Sequence, residues 1–250
     1  MAGHSKWSNI KHRKAAQDAK RGKIFSKLIR ELGVAARQGG PEPADNPRLR
    51  AAIDKALSNN MTKDTIQRAV DRGAGQNDGD DMEEITYEGY GPEGVAILVQ
   101  CMSDNRNRTV SDVRHAFSKH GGNLGTSGSV AFMFHHQGRL TLAPGTSEEA
   151  AMAATLDAEP EDILTDEDGS LEVVTSPERF GAVKDALLAA ELEPVYSDVG
   201  LFADTTTPIE DADLARRVLA LIDHLEDLDD VQNVFTNADF NDAILAELER

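Results

Sequence analysis

The chain is poor in cysteine, in aromatic residues and in long apolar runs, and each shortage removes a class of protein. One cysteine, Cys101, in 250 residues excludes an internal disulfide and suits a reducing cytoplasm. Aromatics make up 5%, too few for repeated base-stacking platforms. No stretch of about 18 apolar residues occurs, so no membrane span is expected. The apolar run Val95–Val99 has the length of a strand. The charged N-terminus is not followed by an apolar segment, so it does not read as a secretory signal. Trp7-Ser8-Asn9-Ile10 ahead of Lys11-His12-Arg13-Lys14 also breaks the amphipathic pattern of a mitochondrial presequence.

Acidic residues are scarce at one end only. Met1–Gln38 carry ten Lys or Arg against two acids, Asp18 and Glu31. Residues 1–73 hold 16 basic and 7 acidic residues, a net +9, within a chain of net −18; residues 74–250 therefore carry −27. Such a split points to nucleic-acid contact by the basic part. Lys6, Trp7, Lys11, His12, Arg13, Lys14, Lys20, Arg21, Lys23, Lys27 and Arg30 are the candidate binding residues. Lysine and arginine neutralise phosphates whatever the base sequence, and Trp7 can stack on an unpaired base. The acidic remainder repels nucleic acid only within a Debye length of about 8 Å. Contact is thus expected at the N-terminal face.

A second candidate is Asp104-Asn105-Arg106-Asn107-Arg108-Thr109. It follows a strand and opens a helix, which would place Arg106 and Arg108 where anions are favoured. The same residues fit a capped turn with internally paired arginines equally well. Gly121-Gly122-Asn123-Leu124-Gly125-Thr126-Ser127-Gly128-Ser129 precedes a strand rather than a helix and lacks lysine. It reads as a helix cap and turn, not a phosphate cradle. His4, His12, His135 and His136 lack zinc-ligand spacing. No nucleophile–base pattern is present, and the acids of 157–168 read as a solvated loop. No catalytic residue, cofactor or metal is expected.

The periodicity gives an α+β chain of three domains. A basic arm and helical domain covers 1–75. Its first helix spans Ala15–Gln38 with Ile24, Phe25, Leu28, Ile29, Leu32, Ala35 and Ala36 inward and a wet basic face opposite. Further helices start after Asn46 and Thr62, the latter stopping at Gly73. After a polar linker, strands are expected at 85–87, 95–101 and 130–134, with a helix over 105–120. Residues 135–204 read as βαββαβ, a ferredoxin-like unit. The elements of 84–134 and 205–240 are each incomplete alone, so together they form an α/β domain into which 135–204 is inserted.

Residues 1–27 closely resemble the start of the YebC/PmpR family. The likeness continues through Asn46–Ile53, Tyr87–Pro92, Asp104–Thr109, His115–Lys119 and Asp227–Val234, and is weakest over 139–204. The resemblance implies a cytoplasmic, non-enzymatic regulator of gene expression with three domains. It carries two readings: a DNA-binding transcriptional regulator, or a ribosome-associated translation factor contacting ribosomal or transfer RNA. The mostly lysine surface of the first helix suits backbone contact more than bidentate base readout. An acidic adaptor for basic proteins, its arm folded back on its own body, is a third possibility. Oligomeric state and the role of the interdomain cleft are left open.

Overall fold

The computed structural model describes residues 21–75, 82–166, 168–240 and 244. It opens with three helices, α1 (Arg21–Gly39), α2 (Pro47–Ser58) and α3 (Lys63–Ala74). Their shared core is Leu28, Leu32, Ala35, Ala36, Leu49, Ala52, Ala56, Met61, Ile66, Ala69 and Val70. The start expected at Ala15 lies outside the described residues. Gly40, at φ +88°, ends α1, its N–H reaching the Ala36 carbonyl at 3.0 Å. Asn46 joins α1 to α2. Its side-chain oxygen accepts from Leu49 N–H, and its amide donates to the Ala35 and Gly40 carbonyls, both at 2.8 Å. Thr62 caps α3 by accepting from Thr65 N–H. The helix passes through the expected stop at Gly73. That glycine is a packing residue, not a terminator: a Cβ there would lie 2.2 Å from the Gly33 carbonyl oxygen. Backbone therefore meets backbone where α1 crosses α3.

The first sheet begins with the antiparallel hairpin β1 (Glu83–Tyr90) and β2 (Ala96–Ser103). The turn between them spans 91–95, with Glu93 and Gly94 at positive φ. Gly89 stays in the strand because Phe117 and the Asn123 carbonyl press on it; a Cβ would sit 2.7 Å from each. Helix α4 (Arg106–Lys119) and the short β3 (Asn123–Leu124) follow.

The chain then builds a second sheet. The elements are β4 (Phe134–Leu142), α5 (Glu148–Thr155), β5 (Asp162–Thr165), β6 (Leu171–Thr175), α6 (Phe180–Ala189) and β7 (Tyr196–Ala203). The order β5-β6-β4-β7 is antiparallel throughout, the arrangement of a split βαβ unit. Its core is formed by Leu140, Leu142, Leu171, Val173, Val183 and Leu187. The strand expected over 130–134 is a 3-10 turn, Ala131–Met133, and the strand starts only at Phe134. The reason is Glu88. Its buried carboxylate accepts the N–H groups of Gly128, Val130 and Ala131 at 2.7–2.8 Å, turning that backbone inward.

After β8 (Thr207–Ile209) and α7 (Ala212–Glu226), the chain returns to the first sheet. There β9 (Val231–Thr236) pairs antiparallel with β2, giving the order β3-β1-β2-β9. A last strand, β10 (Ala238–Phe240), pairs parallel with β8. Strand β2 is buried on both faces. Val95, Ile97, Val99 and Cys101 join the core made with α4 and α7, and Ala96 and Leu98 pack with Val130, Phe134 and Ala203 against the second sheet.

Candidate nucleic-acid interface

Lys23, Lys27 and Arg30 are spaced at i, i+4 and i+7, which places them on one face of α1. That face is only partly open to solvent, where the sequence pattern implied a fully wet one. It docks on the C-terminal end of α7 and the segment 226–230. Lys23 Nζ donates to the Asp227 carbonyl at 2.9 Å and to its carboxylate at 3.3 Å. Lys27 Nζ donates to the Glu226 carbonyl at 3.0 Å. Arg30 donates to the Asp229 carbonyl and lies 3.7 Å from the Asp230 carboxylate. Carbonyls at a helix C-terminus lack intrahelical partners and carry partial negative charge, so they are natural acceptors for these cations. Beside this contact lies a cleft of about 760 Å³, lined by Lys23, Arg30, Asp104, Arg108, Asp227 and Asp230 among others.

At the second candidate the helix is capped and Arg108 is paired within the protein. Asn105 caps α4 by accepting from Arg108 N–H at 3.1 Å. The Arg108 guanidinium is engaged by Asp230, at 2.9 and 3.1 Å, and by Asp104 at 2.8 Å. Ser103 and Thr109 hydroxyls also donate to Asp230, at 3.0 and 2.8 Å. Burial works to raise the Asp230 pKa. The hydrogen bonds from Arg108, Thr109 and Ser103 outweigh it and hold the carboxyl below its ordinary range. Arg106 is exposed on the first turn of α4.

The end of the glycine-rich loop wraps the internal Glu88 carboxylate, which accepts Gly128 N–H and, just past the loop, those of Val130 and Ala131. Burial favours protonation of Glu88, but the backbone N–H groups prevail and lower its pKa. His135 pairs with Asp204 at 2.7 Å. Cys101 is buried, and burial pushes its thiol pKa up to about 12. Among the described residues no group of three or more His, Cys, Asp or Glu is arranged to hold a metal ion.

Lys6, Trp7, Lys11, His12, Arg13, Lys14 and Lys20 lie outside the described residues, and Arg21 opens α1. The structure adds Lys55, Lys63 and Arg72, exposed on α2 and α3 and passed over in the sequence. Their signal was available: each falls on the polar side of a helix whose other side carries Leu49, Ala52 and Ala56 or Ile66, Ala69 and Val70.

A basic three-helix unit joined to an acidic body of two sheets defines the class of molecule. Residues 5–76 match the TACO1/YebC protein N-terminal domain, and residues 82–238 match the TACO1/YebC second and third domain. A probable transcriptional regulatory protein of Chromohalobacter salexigens is 80% identical over 249 residues, covering 100% of both chains. The transcriptional regulatory protein PmpR of Pseudomonas aeruginosa is 60% identical over 248 residues, covering 99% of this chain and 100% of its own. A crystal structure of a conserved hypothetical protein from Aquifex aeolicus matches with a TM-score of 0.75 at 43% identity, over 90% of this chain and 93% of that one. The chain belongs to the TACO1/YebC family, whose full-length relatives here are named as transcriptional regulators rather than enzymes.

Proposed function

We propose that the protein is a non-enzymatic, cytoplasmic regulator of gene expression that binds nucleic acid through its N-terminal region. The observation that carries this reading is the charge segregation, +9 over residues 1–73 against −27 over the remainder. Cations concentrated on one segment neutralise phosphates, and the acidic body keeps the polyanion to that segment. The contact set is Lys6, Trp7, Lys11, His12, Arg13, Lys14, Lys20 and Arg21, extended by Lys23, Lys27 and Arg30 once these leave the body, with Arg106 at the margin. DNA is the first target, because the Pseudomonas relative is named a transcriptional regulatory protein. The alternative target is ribosomal or transfer RNA, favoured by one observation: the cations of α1 are mainly lysines, which position a backbone without reading bases. We read the architecture as a helical unit over 1–75, an α/β unit made of 84–134 and 205–240, and a ferredoxin-like unit over 135–204 inserted in it.

The test is a fluorescence-anisotropy titration of the full chain against duplex DNA and single-stranded RNA across salt. Contact with 6–10 phosphates weakens binding by about 10³–10⁵-fold between 50 and 200 mM salt. Changing Lys11, Arg13 and Lys14 together to Glu should reduce affinity for every sequence and flatten the salt slope. Unchanged affinity in that variant would contradict the reading.

A further inference from the structure

The basic face of α1 meets oxygen acceptors: the carbonyls of Glu226, Asp227 and Asp229 and the carboxylates of Asp227 and Asp230. An acceptor-only, negatively charged array is also what a run of phosphates offers to lysine and arginine. We propose that segment 226–230 is a built-in competitor for nucleic acid, which covers Lys23, Lys27 and Arg30 until a phosphate backbone displaces it. The inference rests on the binding function proposed above and assigns that site its regulation.

Two features support displacement. First, the competing segment is held by the body's own hydrogen bonds and keeps its shape once uncovered. Asp230 is pinned by Ser103, Thr109 and Arg108, its carbonyl accepts Met102 N–H at 2.8 Å, and Val231 N–H bonds to the Leu228 carbonyl. Second, the contact is polar. The described core of the helical unit draws on residues from Leu28 to Val70 and includes nothing from the sheets. A second bridge has the same character: Arg48 of α2 pairs with Glu84 of β1. Separation of the helical unit therefore breaks ion pairs that salt and phosphate can replace. Nucleic acid then exchanges one set of oxygen acceptors for another, so covering the site makes the measured salt slope shallower than that of an uncovered site.

The test uses the full chain and a fluorescent duplex with a matched single-stranded RNA. Asp227→Lys removes one acceptor and repels Lys23. Asp185→Lys, at an exposed position of α6 beside the second sheet, adds the same charge away from the contact. The expected result is that Asp227→Lys binds about three- to tenfold tighter than Asp185→Lys and shows a steeper salt slope. In a second arm, Lys23→Cys and Asp227→Cys are joined by a short bis-maleimide. The buried Cys101, its thiol protonated, is left unreacted. The joined protein should bind at least about tenfold more weakly than the same double variant left unjoined. Equal affinities for Asp227→Lys and Asp185→Lys, with no loss on joining, would overturn the competitor while leaving wild-type binding intact. Failure of wild type and every variant to bind either nucleic acid would overturn the binding function and this inference together.

Discussion

Two side chains show how much a single residue decides here. Asn46 is 4% exposed and uses three of its four hydrogen-bonding capacities, capping α2 while tying the end of α1. Asn46→Ala removes a cap and leaves the Gly40 carbonyl without this donor. It should lower stability by about 2 kcal/mol, read as a lower urea midpoint at unchanged slope. Glu88, 6% exposed, holds the 128–131 backbone by three N–H groups. Glu88→Ala strands those donors and should cost about 2–4 kcal/mol. Amide exchange at Val130 and Ala131 should accelerate, and unchanged protection there would show that the turn holds itself. Glu88 and Asp230 also set the acid limit. Both have folded pKa values below their ordinary 4.5 and 3.8. The unfolded chain thus binds protons first, and their contribution is complete above those values and lost as pH falls through the lowered ones.

At the scale of elements, the contact between α1 and α3 depends on Gly33 and Gly73. Gly73→Ala drives a methyl into backbone and should destabilise the helical unit by about 2–3 kcal/mol. The loss should appear as reduced helical ellipticity on heating, while the sheets keep their own transition. Helices α4 and α7 meet through His120 and His224, whose ring nitrogens are 3.1 Å apart. One must donate and the other accept, so the two rings cannot both be protonated while this bond holds. Burial lowers both pKa values below 6.5. His224 and Lys119 act in the same direction on His120, and Lys119 and His115 on His224, against an opposing pull from Asp227. A lowered histidine takes its proton more readily when unfolded, so stability should decline as pH drops from about 6.5 towards the folded values. Replacing His224 with Gln should flatten that decline in thermal melts between pH 7.5 and 5.5; an identical pH profile would contradict the assignment. Elements such as these were legible where their cause is local. Asn46, Thr62 and Asn105 cap the helices the sequence placed after them. The pairing of β8 with β10 was not, because Thr207–Ile209 and Ala238–Phe240 acquire strand geometry only from each other. Residues 130–134 have strand composition, yet a carboxylate from residue 88 overrides it.

For the whole molecule, charge asymmetry was visible in the sequence and the use of the charges was not. Helical periodicity correctly gathered Lys23, Lys27 and Arg30 on one face. It could not reveal that residues about 200 positions later cover that face. Arg108 had the same fate: its motif was evident, its partner Asp230 was not. Under the proposed function these cations are shared between the acidic body and an external polyanion, with ionic strength acting on both contacts.

The most direct test of nucleic-acid binding is ultraviolet crosslinking in living cells, with the attached DNA and RNA sequenced in parallel. Crosslinks should map to the N-terminal region and be lost when Lys11, Arg13 and Lys14 are changed to Glu; discrete DNA sites would favour transcription, and ribosomal or transfer RNA the alternative target. Crosslinks to neither nucleic acid, or crosslinks that survive the triple change, would contradict the proposed function.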